Sequence, residues 1–170
     1  HRSASAVRVG SERRAANPNH TGNEEYNWFL SVIFPASELK ILPYNRAVKD
    51  LNGLSPEEFL KEIRAIFTVT ENPDPSPKSP RNVSMYLGGK WYGLSWPEVK
   101  SSNPVDLLDV STLQNGVLHP LLGIDDPRTN NRIKFIGGIR GPQELVRLVD
   151  QKGYAVAFSM YPTTVDQLMA

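Results

Sequence analysis

The stretch RIKFIGGIRGPQELVRLVDQKGYAVAFSM, residues 132–160, carries the reading of the fold. Arg132–Ile136 reads as a strand, with the β-branched Ile133 and Ile136 and the aromatic Phe135. Pro142–Gln151 opens on a proline, which suits the first turn of a helix, and places apolar residues at helical spacing. Ala155–Met160 is a second apolar strand. Strand, glycine turn, helix and strand in this order make a βαβ-like unit. The class that follows is α/β, in the mixed α+β sense, with a central mixed sheet, a β-hairpin, the βαβ-like unit and flanking helices.

Working outward, Val83–Leu87 and Lys90–Leu94 flank Gly88-Gly89, a hairpin signature, and would send Trp91 and Tyr92 to opposite faces. Ser55-Pro56-Glu57-Glu58 starts a helix with a serine cap, an early proline and acids in the first turn. Phe59, Leu60, Ile63 and Phe67 then supply its core face. Thr68–Thr70 favours a strand, Asn72–Pro80 an extended proline-rich loop, and Val110–Leu122 a helix buried through Leu113, Val117 and Leu121. Trp28–Phe34 reads as a buried strand ending at Pro35, and Glu38–Leu42 as a second short one. Ser3–Ala16 reads as an amphipathic helix with a basic face and apolar Ala4, Val7 and Ala15; the turn formers after it read as a loop.

The 170 residues contain 19 Lys and Arg against 18 Asp and Glu, a net charge of +1. Dedicated nucleic-acid binders usually carry a dominant basic footprint, so nucleic acid is not the expected partner. Two stretches are locally basic: four arginines against Glu12 within His1–Arg14, and Arg128, Arg132, Lys134, Arg140 and Arg147 against Glu144. No apolar run reaches the roughly 18 residues of a membrane span. The absence of cysteine removes disulfides and thiolate chemistry, and with no secretory h-region in view the expected location is cytoplasmic.

Four groups are candidates for chemistry. Gly137-Gly138-Ile139-Arg140-Gly141 lies between a strand and a helix start, where glycines let backbone amides approach an anion and Arg140 offers a guanidinium fork. It matches neither the P-loop nor the full dinucleotide fingerprint, and a tight turn with a surface arginine explains it as well. Tyr44-Asn45-Arg46 with Lys49 reads as a turn after a strand that gathers an amide and two cations; Asn45, Arg46 and Lys49 suit a carboxylate-bearing substrate, and a surface helix start is the plainer alternative. His1, His20 and His119 lack metal-ligand spacing, so no metal site is expected, and His119 reads as a packed or capping residue. Asp125-Asp126 before Arg128 reads as a charge-paired turn, and Asp106 and Asp109 as helix caps.

Beyond these patterns, the chain resembles a known family. Tyr26-Asn27-Trp28-Phe29-Leu30-Ser31, Phe34-Pro35, Ile41-Leu42-Pro43-Tyr44-Asn45-Arg46, Met85-Tyr86-Leu87-Gly88-Gly89-Lys90-Trp91-Tyr92, Asp126-Pro127-Arg128 and Phe135-Ile136-Gly137-Gly138-Ile139-Arg140-Gly141 appear in order. Together they resemble the domain of unknown function 1015 family of bacterial and archaeal proteins, whose members are more than twice this length. The opening His1-Arg2-Ser3 resembles the end of that family's Asp-Gly-His-His-Arg motif, similar to the motif of ParB/sulfiredoxin-like domains and free-serine kinases. The resemblance implies that the chain begins inside that motif and that residues 1–16 are the remaining helix of an upstream ParB-like domain. Residues 17–25 would then be a linker, and residues 26–170 a C-terminal α/β domain cut in its last helix.

His1, Arg2 and Ser3 would contact phosphate, alongside Gly137, Gly138 and Arg140, with the catalytic residues unassigned. The resemblance further implies serine-kinase-like phosphoryl transfer, with ATP or ADP and Mg as cofactors of the intact protein, a small-molecule or nucleotide ligand and room for an oligomer. The incomplete site would leave this piece inactive on its own. The alternative reading is a non-catalytic ParB-like binding or scaffold domain.

Overall fold

A computed structural model describes residues 1–169 as two compact units, His1–Leu39 and the body from Lys40 onward. The first unit is built on α1 (Arg2–Ala16). Its more enclosed positions are Ala6, Val9 and Gly10; Ala4, Val7 and Ala15 are exposed, so the apolar stripe lies elsewhere on the helix than its spacing suggests. Gly10 has a packing reason: a Cβ there would stand 2.9 Å from the Tyr26 carbonyl. Tyr26 also accepts a hydrogen bond from Asn17 Nδ2 at 3.0 Å, closing the loop against the helix end.

Glu24 ties the same loop from within. Its carboxylate accepts the Thr21 and Gly22 amides at 2.7 and 3.0 Å and pairs with His20 at 2.7 Å. These bonds, the Thr21 amide foremost, hold Glu24 far below the usual carboxylate range.

The expected strand at Trp28–Phe34 does not form. The segment is irregular, and Trp28 and Ile33 are 72% and 90% exposed. A strand is stabilised by ladder partners, and none of the described residues pairs with this segment; apolar, β-branched composition alone does not bury it. Glu38–Leu42 is likewise not a strand: Ala36–Glu38 is a single 3₁₀ turn followed by irregular chain.

In the second unit the strands are β1 (Tyr44–Val48), β2 (Thr68–Glu71), β3 (Asn82–Leu87), β4 (Lys90–Ser95), β5 (Ile133–Gly137) and β6 (Val156–Met160). They form one sheet in the order β2-β4-β3-β6-β1-β5. Every neighbouring pair is antiparallel. The βαβ-like unit is present as β5, α4 (Gly141–Lys152) and β6, but β1 lies between the two strands. That insertion separates the one pair that would have been parallel, so the expected mixed sheet has antiparallel neighbours throughout. The β3–β4 hairpin turns at Gly88 and Gly89 with φ of +56° and +81°, both positive as a type I′ turn requires.

Alternation along β3 sorts the two faces. Val83, Met85 and Leu87 join Val48, Phe158 and Met160 in the larger core, under α2 (Pro56–Ile66) and α3 (Asp109–Leu113), which continues as a π turn over Gln114–Leu118. Phe59, Ile63, Leu113, Val117 and Leu122 fill that layer. Tyr86 faces the other way with Ala47, Ile136 and Ala157, beneath Leu145 and Leu148 of α4. Trp91 packs on this second core and Tyr92 on the first, on opposite faces. The Ser55 cap forms a reciprocal box: Glu58 N–H donates to Ser55 Oγ at 3.2 Å, and Ser55 N–H to Glu58 Oε2 at 2.9 Å. The chain ends its described part in the short α5 (Val165–Met169).

Candidate functional site

The cavity to which α4 points its N-terminus is built from four segments. β1 contributes Asn45, β6 and its exit contribute Ser159, Met160, Tyr161 and Pro162, and the glycine turn contributes Gly138, Gly141 and Pro142. Ser76, Pro77 and Lys78 of the proline-rich loop and Lys40 with Leu42 and Pro43 close the remaining sides around about 470 Å³. That volume suits a small metabolite.

Sheet geometry makes the floor polar. Asn45, Ser159 and Ser84 lie on the α4 face, beyond the apolar patch of Ala47, Ala157 and Tyr86 that α4 covers. Asn45 is 2% exposed; its Oδ1 accepts the Met160 amide at 2.9 Å, which leaves Nδ2 as the group without a hydrogen-bond partner among the described residues. Ser84 spends its hydroxyl on the Asp74 carbonyl at 2.7 Å and so anchors the wall loop. Asp74 shapes that loop, accepting the Ser76 amide at 2.8 Å and pairing with Lys78 Nζ at 3.0 Å. Both contacts, the amide first, pull its carboxyl below the ordinary value.

The glycines of the turn have structural work of their own. Gly138 N–H donates to the Pro43 carbonyl at 2.8 Å, and a Cβ on Gly138 would lie 2.6 Å from the Pro43 ring. Gly141, with φ of +69°, donates its N–H to the Gly138 carbonyl. Two of the turn's amides are therefore already bonded within the fold. Gly137 belongs to the end of β5 and Arg140 points to solvent, 3.8 Å from Glu144; neither lines the cavity. Glu144 holds a tighter pair with Arg147 at 2.7 Å, which keeps its carboxyl low.

The expected group of Asn45, Arg46 and Lys49 is divided. It is not a turn but an interior strand, one in from the edge, so consecutive side chains leave on opposite faces. Asn45 enters the cavity just described, Arg46 enters the opposite face, and Lys49 lies exposed beyond the strand end. His119 is not packed: it is 62% exposed and pairs with Asp125 at 2.8 Å. Asp126 pairs with Arg128 at 3.0 Å, as the turn reading expects. Asp106 accepts from Ser101 and Asn103 ahead of α3, whereas Asp109 accepts the Arg81 amide of a distant loop rather than a helix amide.

His1 sits at the N-cap of α1 without a side-chain cap bond, and Arg2 and Ser3 are exposed in its first turn, which holds no acid. Lys40, Ser76, Lys78, Ser159 and Tyr161 are cavity residues that motif reading missed. Only Ser159, a hydroxyl interrupting an apolar strand, left a signal in the sequence. No helix among the described residues is long and apolar enough to cross a membrane.

No curated protein and no solved structure matches this chain. The family described as Protein of unknown function (DUF1015) matches residues 1–111, the larger part of the chain, and the protein belongs to that family.

Proposed function

We propose that the body from Lys40 onward binds a small phosphorylated metabolite in the cavity at the N-terminus of α4. The observation that carries the reading is Asn45: a buried amide fixed by Met160, with its donor end left for a ligand. That donor keeps access to the cavity, and an anion's oxygen placed there would accept from it. Lys40 adds positive charge at the wall, Lys78 adds an ammonium that already pairs with Asp74, and the first turn of α4 adds its partial positive end. Ser76, Ser159 and Tyr161 offer hydroxyls for the rest of the ligand. Gly138 shapes the wall, Gly137 ends the strand that leads to it, and Arg140 adds positive charge from outside the cavity.

The chemistry we attach to this binding is phosphoryl transfer of the serine-kinase-like kind, with ATP or ADP and Mg in the intact protein. In it the protein's task is mainly positioning and charge neutralisation. Within the same reading, residues 1–16 belong to a ParB/sulfiredoxin-like domain, 17–25 link it, and the rest is the C-terminal domain. His1, Arg2 and Ser3 then contact phosphate at the start of α1.

The test is a titration of the chain with inorganic phosphate, phosphoserine and ATP, followed by amide chemical shifts. Saturable shifts at Asn45, Gly138 and Ser159 are expected. Asn45→Asp keeps the acceptor for Met160 and replaces the donor with a negative charge, so affinity should fall by about 100-fold or more with the fold intact. No saturable shift with any of the three, or equal binding by the variant, overturns the reading and favours the non-catalytic binding domain.

A further inference from the structure

On the face of the sheet opposite Asn45, Arg46 is 8% exposed and has no carboxylate partner among the described residues. Its side chain's one hydrogen bond among the described residues is from Nη1 to the Tyr44 carbonyl. The guanidinium carbon lies 5.3 Å from the centroid of Phe135, and Tyr44 stacks on that same ring at 5.1 Å. Burial pushes Arg46 down to about 10, a mark of how poorly its charge is solvated. A cation–π contact recovers only part of what burying an ion costs, and buried charges are ordinarily paired. One half of an ion pair is missing here.

Arg46 opens on a cavity of about 380 Å³ whose other walls include Val105, Asp106, Val110, Gln114 and Asn115. Gln114 supplies a second unmet need. Its Nε2 donates to the Ile124 and Asp125 carbonyls at 2.7 and 3.3 Å, which fixes the amide's orientation, and its Oε1 is buried with no partner. The cavity therefore presents a cation seeking an anion, and the Gln114 acceptor, unpartnered among the described residues, lies closed off just behind its wall. A small carboxylic acid that bears an N–H or O–H on its α-carbon meets the first requirement directly, and the second as the Gln114 side chain yields to bring Oε1 to the cavity. A bare phosphate lacks a dependable donor at neutral pH, and an amine alone lacks the anion. Asp106 lines the same cavity and favours an ammonium over a hydroxyl, although its oxygens already accept from Ser101 and Asn103.

We infer that this cavity is a binding site for a small α-amino or α-hydroxy acid, whose carboxylate pairs with Arg46 and whose α-substituent donates to Gln114. The site is independent of the Asn45 cavity, since the sheet lies between them.

The experiment titrates the chain with glycine, glycolate and acetate and follows amide chemical shifts, with thermal midpoints as a second readout. Glycine or glycolate should saturate shifts around Arg46, Gln114 and Phe135, with acetate about 10-fold weaker for want of the α-donor. Glycine tighter than glycolate assigns the amino acid, and the reverse the hydroxy acid. Arg46→Met removes the buried charge while keeping an apolar stem, so it should fold and lose about 30-fold or more in affinity. Asn115→Trp, at an exposed position on the rim, should block binding with Arg46 in place. Failure of all three acids to saturate, or binding by Arg46→Met equal to the parent, overturns the inference. Should Arg46→Met not fold, unchanged binding by Asn115→Trp does so.

Discussion

Asp109 is a carboxylate set to receive one backbone amide. Both its oxygens lie 3.0 Å from Arg81 N, and Arg81 holds a left-handed φ of +62° that a non-glycine residue adopts only when its surroundings insist. Burial pushes this carboxyl above its ordinary value, and the Arg81 amide and charge offset part of that. Asp50 is the opposite case: its bidentate pair with Arg132 holds it below the ordinary value. The two therefore act on stability with opposite sign. A carboxyl raised by folding binds its proton more tightly in the native state, so its contribution falls as pH rises through the unfolded value and then the folded one. A lowered carboxyl contributes fully above its unfolded value, and that contribution is lost as pH falls through the folded one. In urea midpoints measured from pH 3 to 7, Asp109→Asn should remove a decline that begins near pH 4, and Asp50→Asn should remove part of the acid-side loss. Identical pH profiles for parent and both variants would contradict these assignments.

Among the elements, α2 shows how far local chemistry reaches. Its cap, proline and first-turn acids are all in the sequence, and the structure closes the reciprocal box they imply. Ser55→Ala should cost about 1 kcal/mol in chemical denaturation, with Ser55→Gly costing less. The hairpin was legible for the same reason, since two adjacent glycines satisfy two positive φ angles. Trp28–Phe34 and Tyr44–Val48 show where such reading stops. The first has the stronger β composition and no ladder; the second begins with Tyr-Asn-Arg, looks like a turn, and is an interior strand with neighbours on both sides. Both outcomes depend on which partners arrive from far along the chain, and local composition holds no record of them. The candidate site follows the same rule. Gly138 and Asn45 stood out in the sequence, whereas Lys78 reaches the cavity only because a proline-rich loop is moored to Ser84 through Asp74, and Lys40 only because the chain ahead of β1 runs along its side.

At the scale of the whole molecule, the sheet is closed by its latest strands. β1 pairs with β5 on one side and β6 on the other, so residues 44–48 wait on residues 133–160 for both ladders. The family match ends at residue 111, before either partner. A chain cut after Ser111 should therefore lack a cooperative unfolding transition, because Val48, Met85 and Leu87 lose the strands that cover them. A sharp urea transition from that shorter chain would refute this view of the sheet. Contacts so distant in sequence also imply slow folding, since loop closure precedes any pairing gain.

Arg46 and Asn45 are adjacent in sequence and opposite in direction, and this makes β1 a strand that checks its own alignment. Were it to pair one residue out of step, the guanidinium would be thrust beneath the apolar side of α4, and Ala47 would fall among the large side chains of the other layer. The amide would at the same moment lose the Met160 backbone that seats it. A misaligned strand of uniform valines would go unpunished on both faces; this one would be rejected on each. The two polar residues thus act as a key cut on both edges, admitting a single alignment of the strand on which the middle of the sheet depends.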